Sequence, residues 1–169
     1  NGQTVLVTGH TGFKGSWLAL WLKELGANVH GYSLPAPTQP SNFEASRVRE
    51  SCVSHHEADI RDGDTLERAL AASHADFVFH LAANADIRDG WKHPEKDLQQ
   101  NTIATFNVLE AMRANGIRHV AFPSTGSIYG EARTIPTPEN EAFPVQTSLY
   151  GASKLACEGL IQAYAEGYG

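Results

Sequence analysis

The chain has 169 residues, of which 41% are hydrophobic and 19% charged, enough for one globular domain with a sizeable core and little for two. Lysine and arginine total 13 against 19 acidic residues, a net charge of −6 with no basic run, which argues against nucleic acid as the main partner. The longest unbroken apolar run, residues 17–22, is far shorter than the roughly 20 residues of a membrane span or the roughly 7–15 of a signal-peptide core, so neither is expected. Cys52 and Cys157 lie far apart with no C-x-x-C spacing, so two free thiols in a reducing cytoplasm are expected, and no metal site.

Thr4–Thr8 opens the chain as an apolar strand, and nothing is expected to precede it in the fold. Residues 12–25 follow as a helix, with Trp17, Leu18, Trp21, Leu22 and Leu25 on its apolar side and Gly26 as its stop; Trp17 and Trp21, four apart, are expected in the core. Residues 29–32 form a second strand. Pro35, Pro37 and Pro40 then impose a surface loop, before a short helix over residues 42–50. A third strand is expected over residues 53–60, and Asp62 or Asp64 caps a helix that runs to Ala72. Residues 77–81 are the fourth strand, residues 97–114 a long helix, and residues 119–123 the fifth strand. A loop with Pro136, Pro138 and Pro144 leads to a last helix, Leu149–Tyr168. The alternation predicts an α/β, Rossmann-like, doubly wound parallel sheet of five strands in the order 3-2-1-4-5, with helices on both faces. Ligands of such sheets bind at the carboxyl ends of the strands, near residues 8–15 and 81–83.

Directly after the first strand stand Gly9, His10, Thr11, Gly12, Phe13, Lys14 and Gly15, opening a helix. Glycines there let the backbone approach a pyrophosphate, which the helix N-terminus favours electrostatically; tight helix–strand packing is the bland alternative. Tyr150 and Lys154 are four apart on a predicted helix and share one face. An ammonium beside a phenol favours the phenolate, a usable acid/base, although such a pair alone is common by chance.

The G-x-x-G-x-x-G spacing, Tyr150-x-x-x-Lys154 and the segment from Ser124 to Gly130 together resemble the extended short-chain dehydrogenase/reductases, the NAD-dependent nucleotide-sugar epimerases and 4,6-dehydratases. The resemblance covers the whole chain. It implies a catalytic Thr125, Tyr150 and Lys154, and cofactor contacts from Gly9, Thr11, Gly12, Phe13, Gly15, Ser33, Asp59, Ile60, Leu81, Ala82, Ala83, Tyr150 and Lys154. Residues 4–62 look like the CDP-glucose 4,6-dehydratases, and residues from 77 onward like the UDP-glucose 4-epimerases. Either a natural mosaic or a splice of two related enzymes is expected, joined between residues 62 and 75. Dehydratase relatives place acidic or lysine side chains after the catalytic threonine, where this chain has Gly126 and Ser127; neither serves as a general acid, so reversible hydride transfer at sugar C4 is the implied chemistry.

Family members continue into further strands and a C-terminal lobe that binds the nucleotide-sugar. The 169 residues are therefore expected to form one NAD(P)-binding domain without a substrate domain, binding cofactor with little or no turnover. The rival readings are a non-catalytic chimeric or truncated scaffold, and a short oxidoreductase acting on small carbonyls. The fifth strand would be an exposed apolar edge, and a homodimer through helices 97–114 and 149–168 is implied. Strand 2 ends in Tyr32-Ser33, with neither the acid that grips a ribose 2′-hydroxyl nor an adjacent arginine for a 2′-phosphate, so NAD is preferred over NADP. His55 and His56 point to opposite faces of a strand and read as structural, His80 reads as packed, and Asp86, Arg88 and Asp89 as a solvated loop.

Overall fold

The structure, a computed structural model, describes residues 2–141 and 145–169; part of the expected proline loop, residues 142–144, lies outside them. Two compact units are present: residues 1–82 with 107–123, and residues 83–106 with 124–169.

The first unit carries the whole sheet. β1 (Thr4–Thr8), β2 (Asn28–Ser33), β3 (Ser54–Glu57), β4 (Phe77–His80) and β5 (Val120–Ala121) lie parallel in the order β3-β2-β1-β4-β5, as expected. Successive residues of a strand face opposite sides. Val5, Val7 and Val29 build a core with Ala19 and Val48 on one face. Leu6, Thr8, Val78 and His80, of the other parity, are also buried, so both faces of the centre are covered. His80 is packed as expected, its Nδ1 2.8 Å from Thr8 Oγ1.

The edge strands are shorter than their apolar runs. β3 is four residues rather than eight, because only the stretch opposite His30–Ser33 finds a ladder partner. β5 is two residues, paired with Val78 and Phe79, and ends before Pro123, which has no N–H to donate. It is an edge, though half-buried.

α1 (Phe13–Glu24) corrects the placing of its tryptophans. The residues against the sheet are the small ones, Gly15, Ser16 and Ala19, which let the helix sit close, while Trp17 and Trp21 are 54% and 66% exposed. The helix expected over 42–50 is two short pieces, α2 (Asn42–Ala45) and α3 (Val48–Ser51), separated at Arg47, whose φ of 50° breaks the helix. α4 (Gly63–Ser73) is capped by Asp62, whose carboxylate accepts from Thr65 N at 3.0 Å, and buries Leu66 and Leu70.

In the second unit, the charged stretch expected as a loop is α5 (Ile87–Lys92), capped by Asp86 through the N–H groups of Arg88 and Asp89. Asp89 pairs with Lys96 at 3.0 Å, on α6 (Pro94–Asp97), one short turn. A π-helical segment, Leu98–Ile103, joins α6 to α7 (Ala104–Ala114), so the long helix expected over 97–114 is not uniformly α. A 3₁₀ turn (Gly126–Tyr129) and α8 (Leu149–Tyr168), capped by Ser148 through Gly151 N at 2.9 Å, complete the unit.

Candidate functional site

In the first unit, β1 ends in a turn that only glycine can make. Gly9 has φ +74°, donates to Tyr32 O at 2.9 Å, and would place a Cβ 2.8 Å from the backbone nitrogen of Ala82. Gly12 N donates to Gly9 O at 3.1 Å, closing the turn, and Gly15 passes so near the Gly9 carbonyl that a side chain there would collide with backbone. No side chain caps α1 and no acid lies in its first turn. The N–H groups of Phe13, Lys14 and Gly15 are therefore presented at the positive end of the helix, where an anion is favoured. Phe13 is 73% exposed. Across the turn, Ala82 N donates to Thr8 Oγ1 at 3.2 Å, which holds Leu81 and Ala82 beside Gly9.

At the end of β2, Thr11 Oγ1 donates to Leu34 O at 2.8 Å and lies 2.7 Å from Ser33 Oγ. Thr11 has one hydroxyl hydrogen and Leu34 takes it, so Ser33 donates to Thr11 and keeps its lone pairs for a donor. Both Asp59 oxygens are held by Arg61, whose hydrogen bonds and charge keep the carboxyl below the usual range. Ile60 is buried, and its carbonyl accepts from Asn107 Nδ2 at 3.2 Å.

His10, which the motif reading passed over, is wholly buried. Its Nε2 lies 2.7 Å from His55 Nδ1, and Phe43 packs edge-on at 5.4 Å. Burial, then the neighbouring His55, lower its pKa to about 4, so the pair is neutral near pH 7. His10 Nδ1 has no hydrogen-bond partner among the described residues. The register sets His55 opposite Gly31 and His56 opposite Tyr32, on alternate faces as expected. Among the described residues no three His, Cys, Asp or Glu side chains converge as a metal-binding group, and no helix is long and apolar enough to cross a membrane.

In the second unit, Tyr150 and Lys154 stand one turn apart on α8, Tyr150 half-buried and Lys154 2% exposed. Thr125 caps the 3₁₀ turn, its Oγ1 accepting from Ser127 N at 3.2 Å, which leaves its O–H to donate. Gly151 brings the two elements together: an added Cβ would lie 2.8 Å from Ser127 O. Ala83, at the start of this unit, is exposed.

A further residue orders this unit and went unnoticed in the sequence. Asn101, inside the π segment, accepts from Asn84 N at 2.7 Å and donates to Asn84 O at 3.1 Å and to Ser153 Oγ at 2.9 Å. Ser153 in turn donates to Tyr150 O at 2.8 Å. The Asn101 carbonyl is served by Thr105 Oγ1 at 2.6 Å and Cys157 Sγ at 3.4 Å, side-chain donors that stabilise the widened turn. The sequence signal was the spacing of Asp97, Asn101 and Thr105, polar residues four apart and therefore on one side of the helix, all three buried.

A doubly wound parallel sheet of this order, with a glycine turn and an uncapped helix after its first strand, defines a Rossmann-fold chain. Residues 5–169 match the NAD dependent epimerase/dehydratase family, and the chain belongs to it. It is 45% identical over 115 residues to CDP-glucose 4,6-dehydratase of Salmonella typhimurium, covering 68% of this chain and 32% of that protein. It is 35% identical over 168 residues to UDP-glucose 4-epimerase of Streptomyces lividans, covering 97% of this chain and 48% of that one. Among solved structures, UDP-glucose 4-epimerase from Brucella ovis in complex with NAD superposes with a TM-score of 0.88 at 30% identity, covering 99% of this chain and 49% of that one. The chain thus spans half or less of the length of these relatives. The 115 residues shared with the dehydratase are more than lie before residue 75, so that similarity runs past the expected junction.

Proposed function

We propose that this chain is the NAD-binding part of an oxidoreductase acting on a nucleotide-sugar at C4, of the epimerase rather than the dehydratase type. The observation that carries this reading is the uncapped, acid-free N-terminus of α1 behind a glycine turn that no Cβ fits, a cradle suited to a pyrophosphate. Gly9, Gly12, Phe13 and Gly15 hold the phosphates through the backbone. Thr11 and Ser33 serve the adenosine ribose, Asp59 and Ile60 the adenine, and the stretch Leu81, Ala82 and Ala83 lines the cofactor. Ser33 offers lone pairs, which suit a 2′-hydroxyl donor and repel a 2′-phosphate, so NAD is taken over NADP. When bound, the nicotinamide accepts and returns a hydride.

Tyr150 takes the proton of the sugar C4 hydroxyl, Thr125 donates a hydrogen bond to that oxygen, and Lys154 holds the nicotinamide ribose. The reverse transfer to the opposite sugar face inverts C4, and Gly126 and Ser127 supply no acid for losing water. Binding energy from the nucleotide end of the substrate is what positions a sugar for reaction. Taken on their own, the 169 residues bind cofactor and turn over little. The apolar residues Leu98, Ile103, Phe106 and Tyr168, each at least 38% exposed, support a homodimer on the helices that carry them.

Calorimetric titration of cofactor-stripped protein with NAD and NADP tests the reading, after a native mass spectrum for carried-over cofactor. Saturable binding that favours NAD is expected. A cooperative melt with no binding to either would overturn it in favour of a scaffold, and turnover of small alcohols would favour an independent short oxidoreductase.

A further inference from the structure

α1 turns an apolar stripe to solvent. Phe13, Trp17, Trp21 and Leu25, each four residues from the next, are 73%, 54%, 66% and 57% exposed. Their spacing keeps them on one side of the helix, directly away from Gly15, Ser16 and Ala19 against the sheet. At those exposures the four side chains present roughly 500 Å² of apolar surface, the size of the largest patch on a typical monomer and often a functional one.

The charges on the same side identify what fits it. Lys14 and Glu24 are both exposed on the outward face, at opposite ends of the stripe, and neither enters a salt bridge among the described residues. The pairs Phe13 and Leu25, Lys14 and Glu24, and Trp17 and Trp21 are each symmetric about Ala19. A two-fold axis over Ala19 therefore sets two α1 helices antiparallel, with Trp17 of one copy against Trp21 of the other. Lys14 meets Glu24 at both ends, so each charge in the interface finds its complement. Two such faces remove roughly 1,000 Å² from water, the lower limit for a specific interface.

We infer that the Phe13–Trp17–Trp21–Leu25 face of α1 is a self-association surface that takes a second copy of this chain, antiparallel, with reciprocal Lys14–Glu24 ion pairs. The contact lies on α1 alone and does not depend on the dimer proposed on the helices of the second unit.

Trp91→Phe leaves Trp17 and Trp21 as the only indoles, so their emission reports this face whatever associates elsewhere. A blue shift of that emission with rising protein concentration is expected. Lys14→Glu or Glu24→Lys alone replaces two attractions by two repulsions and should weaken the association read by that shift about tenfold. The double variant, Lys14→Glu with Glu24→Lys, restores the reciprocal pairs, and its association should return to within about threefold of the parent. Circular dichroism and a cooperative melt confirm that each variant is folded. An emission maximum that ignores concentration overturns the inference, the stripe then facing solvent or another polypeptide. A double reversal that associates no better than the single ones overturns it equally.

Discussion

Gly31 lies beneath the His10 ring: a Cβ added at this position would overlap the imidazole. β2 thus leaves open the space that the residue between Gly9 and Thr11 fills, and His10 reaches through it to His55 on β3. Gly31→Ala should displace the ring and destabilise the fold by about 1–3 kcal/mol, seen as a lower urea midpoint at unchanged m-value. Because His10 belongs to the glycine turn before α1, the turn proposed to hold the phosphates, NAD affinity should fall with it. The pair Gly31→Ala and His10→Ala should recover most of the stability, since the overlap is gone. If the double variant is as unstable as the sum of the two single ones, the ring is not what Gly31 accommodates.

The same ring makes stability depend on pH. His10 has a folded pKa of about 4, lowered chiefly by burial, against 6.5 for the free side chain. Above pH 6.5 it is neutral in both states and its contribution is complete. Between pH 6.5 and 4 the unfolded chain binds the proton and the native one does not, so stability falls as pH falls; below about 4 the contribution is gone. The difference corresponds to about 3 kcal/mol. Melting between pH 7.5 and 4.5 should show this slope, and His10→Gln should flatten it. His30 and His55, lowered in the same direction by burial, leave a smaller residual slope.

Asn101 should be costly to replace. Asn101→Ala strips hydrogen bonds from both backbone groups of Asn84 that it serves, and from Ser153. Leaving such part-buried groups unpaired costs up to roughly 1–3 kcal/mol each. A loss of roughly 2–4 kcal/mol is expected, with hydrogen exchange rising at the N-terminal turns of α8, where Ser153 is tied to Tyr150 O. Exchange that rises uniformly over the chain, rather than there first, would show that Asn101 serves global stability only.

The contrast between His10 and Asn101 on one side and the glycines on the other marks what the sequence could disclose. Gly9 and Gly12 were legible because their spacing after an apolar strand has a local cause, the turn. The strand order was legible because crossovers are right-handed. Trp17 and Trp21 were misread because a helix with apolar residues on two sides does not reveal which side meets the sheet; the small residues Gly15, Ser16 and Ala19 decided it. Asn101 was invisible because its partners, Asn84 and Ser153, are 17 and 52 residues away. The split at Arg47 followed from a left-handed backbone at a residue with no local preference for it.

Ser33 should govern the choice of dinucleotide. Its hydrogen goes to Thr11, whose own hydrogen goes to Leu34 O, so the Ser33 oxygen is left with lone pairs to accept and no hydrogen to donate. Ser33→Ala removes the acceptor and should weaken NAD about three- to tenfold, the worth of one hydrogen bond, while NADP, relieved of the lone-pair repulsion, should gain slightly. Ser33→Asp, with two charged oxygens, should tighten NAD and exclude NADP through repulsion of the 2′-phosphate. Thr11→Val frees the Ser33 hydrogen to point elsewhere, so NADP, whose phosphate only accepts, should gain relative to NAD. Titration of the three variants with both cofactors reads these ratios. The Thr11 variant separates donor orientation from simple volume: Val matches Thr in size, so a ratio unchanged in Thr11→Val would mean that the direction of the hydroxyl chain plays no part in the selection.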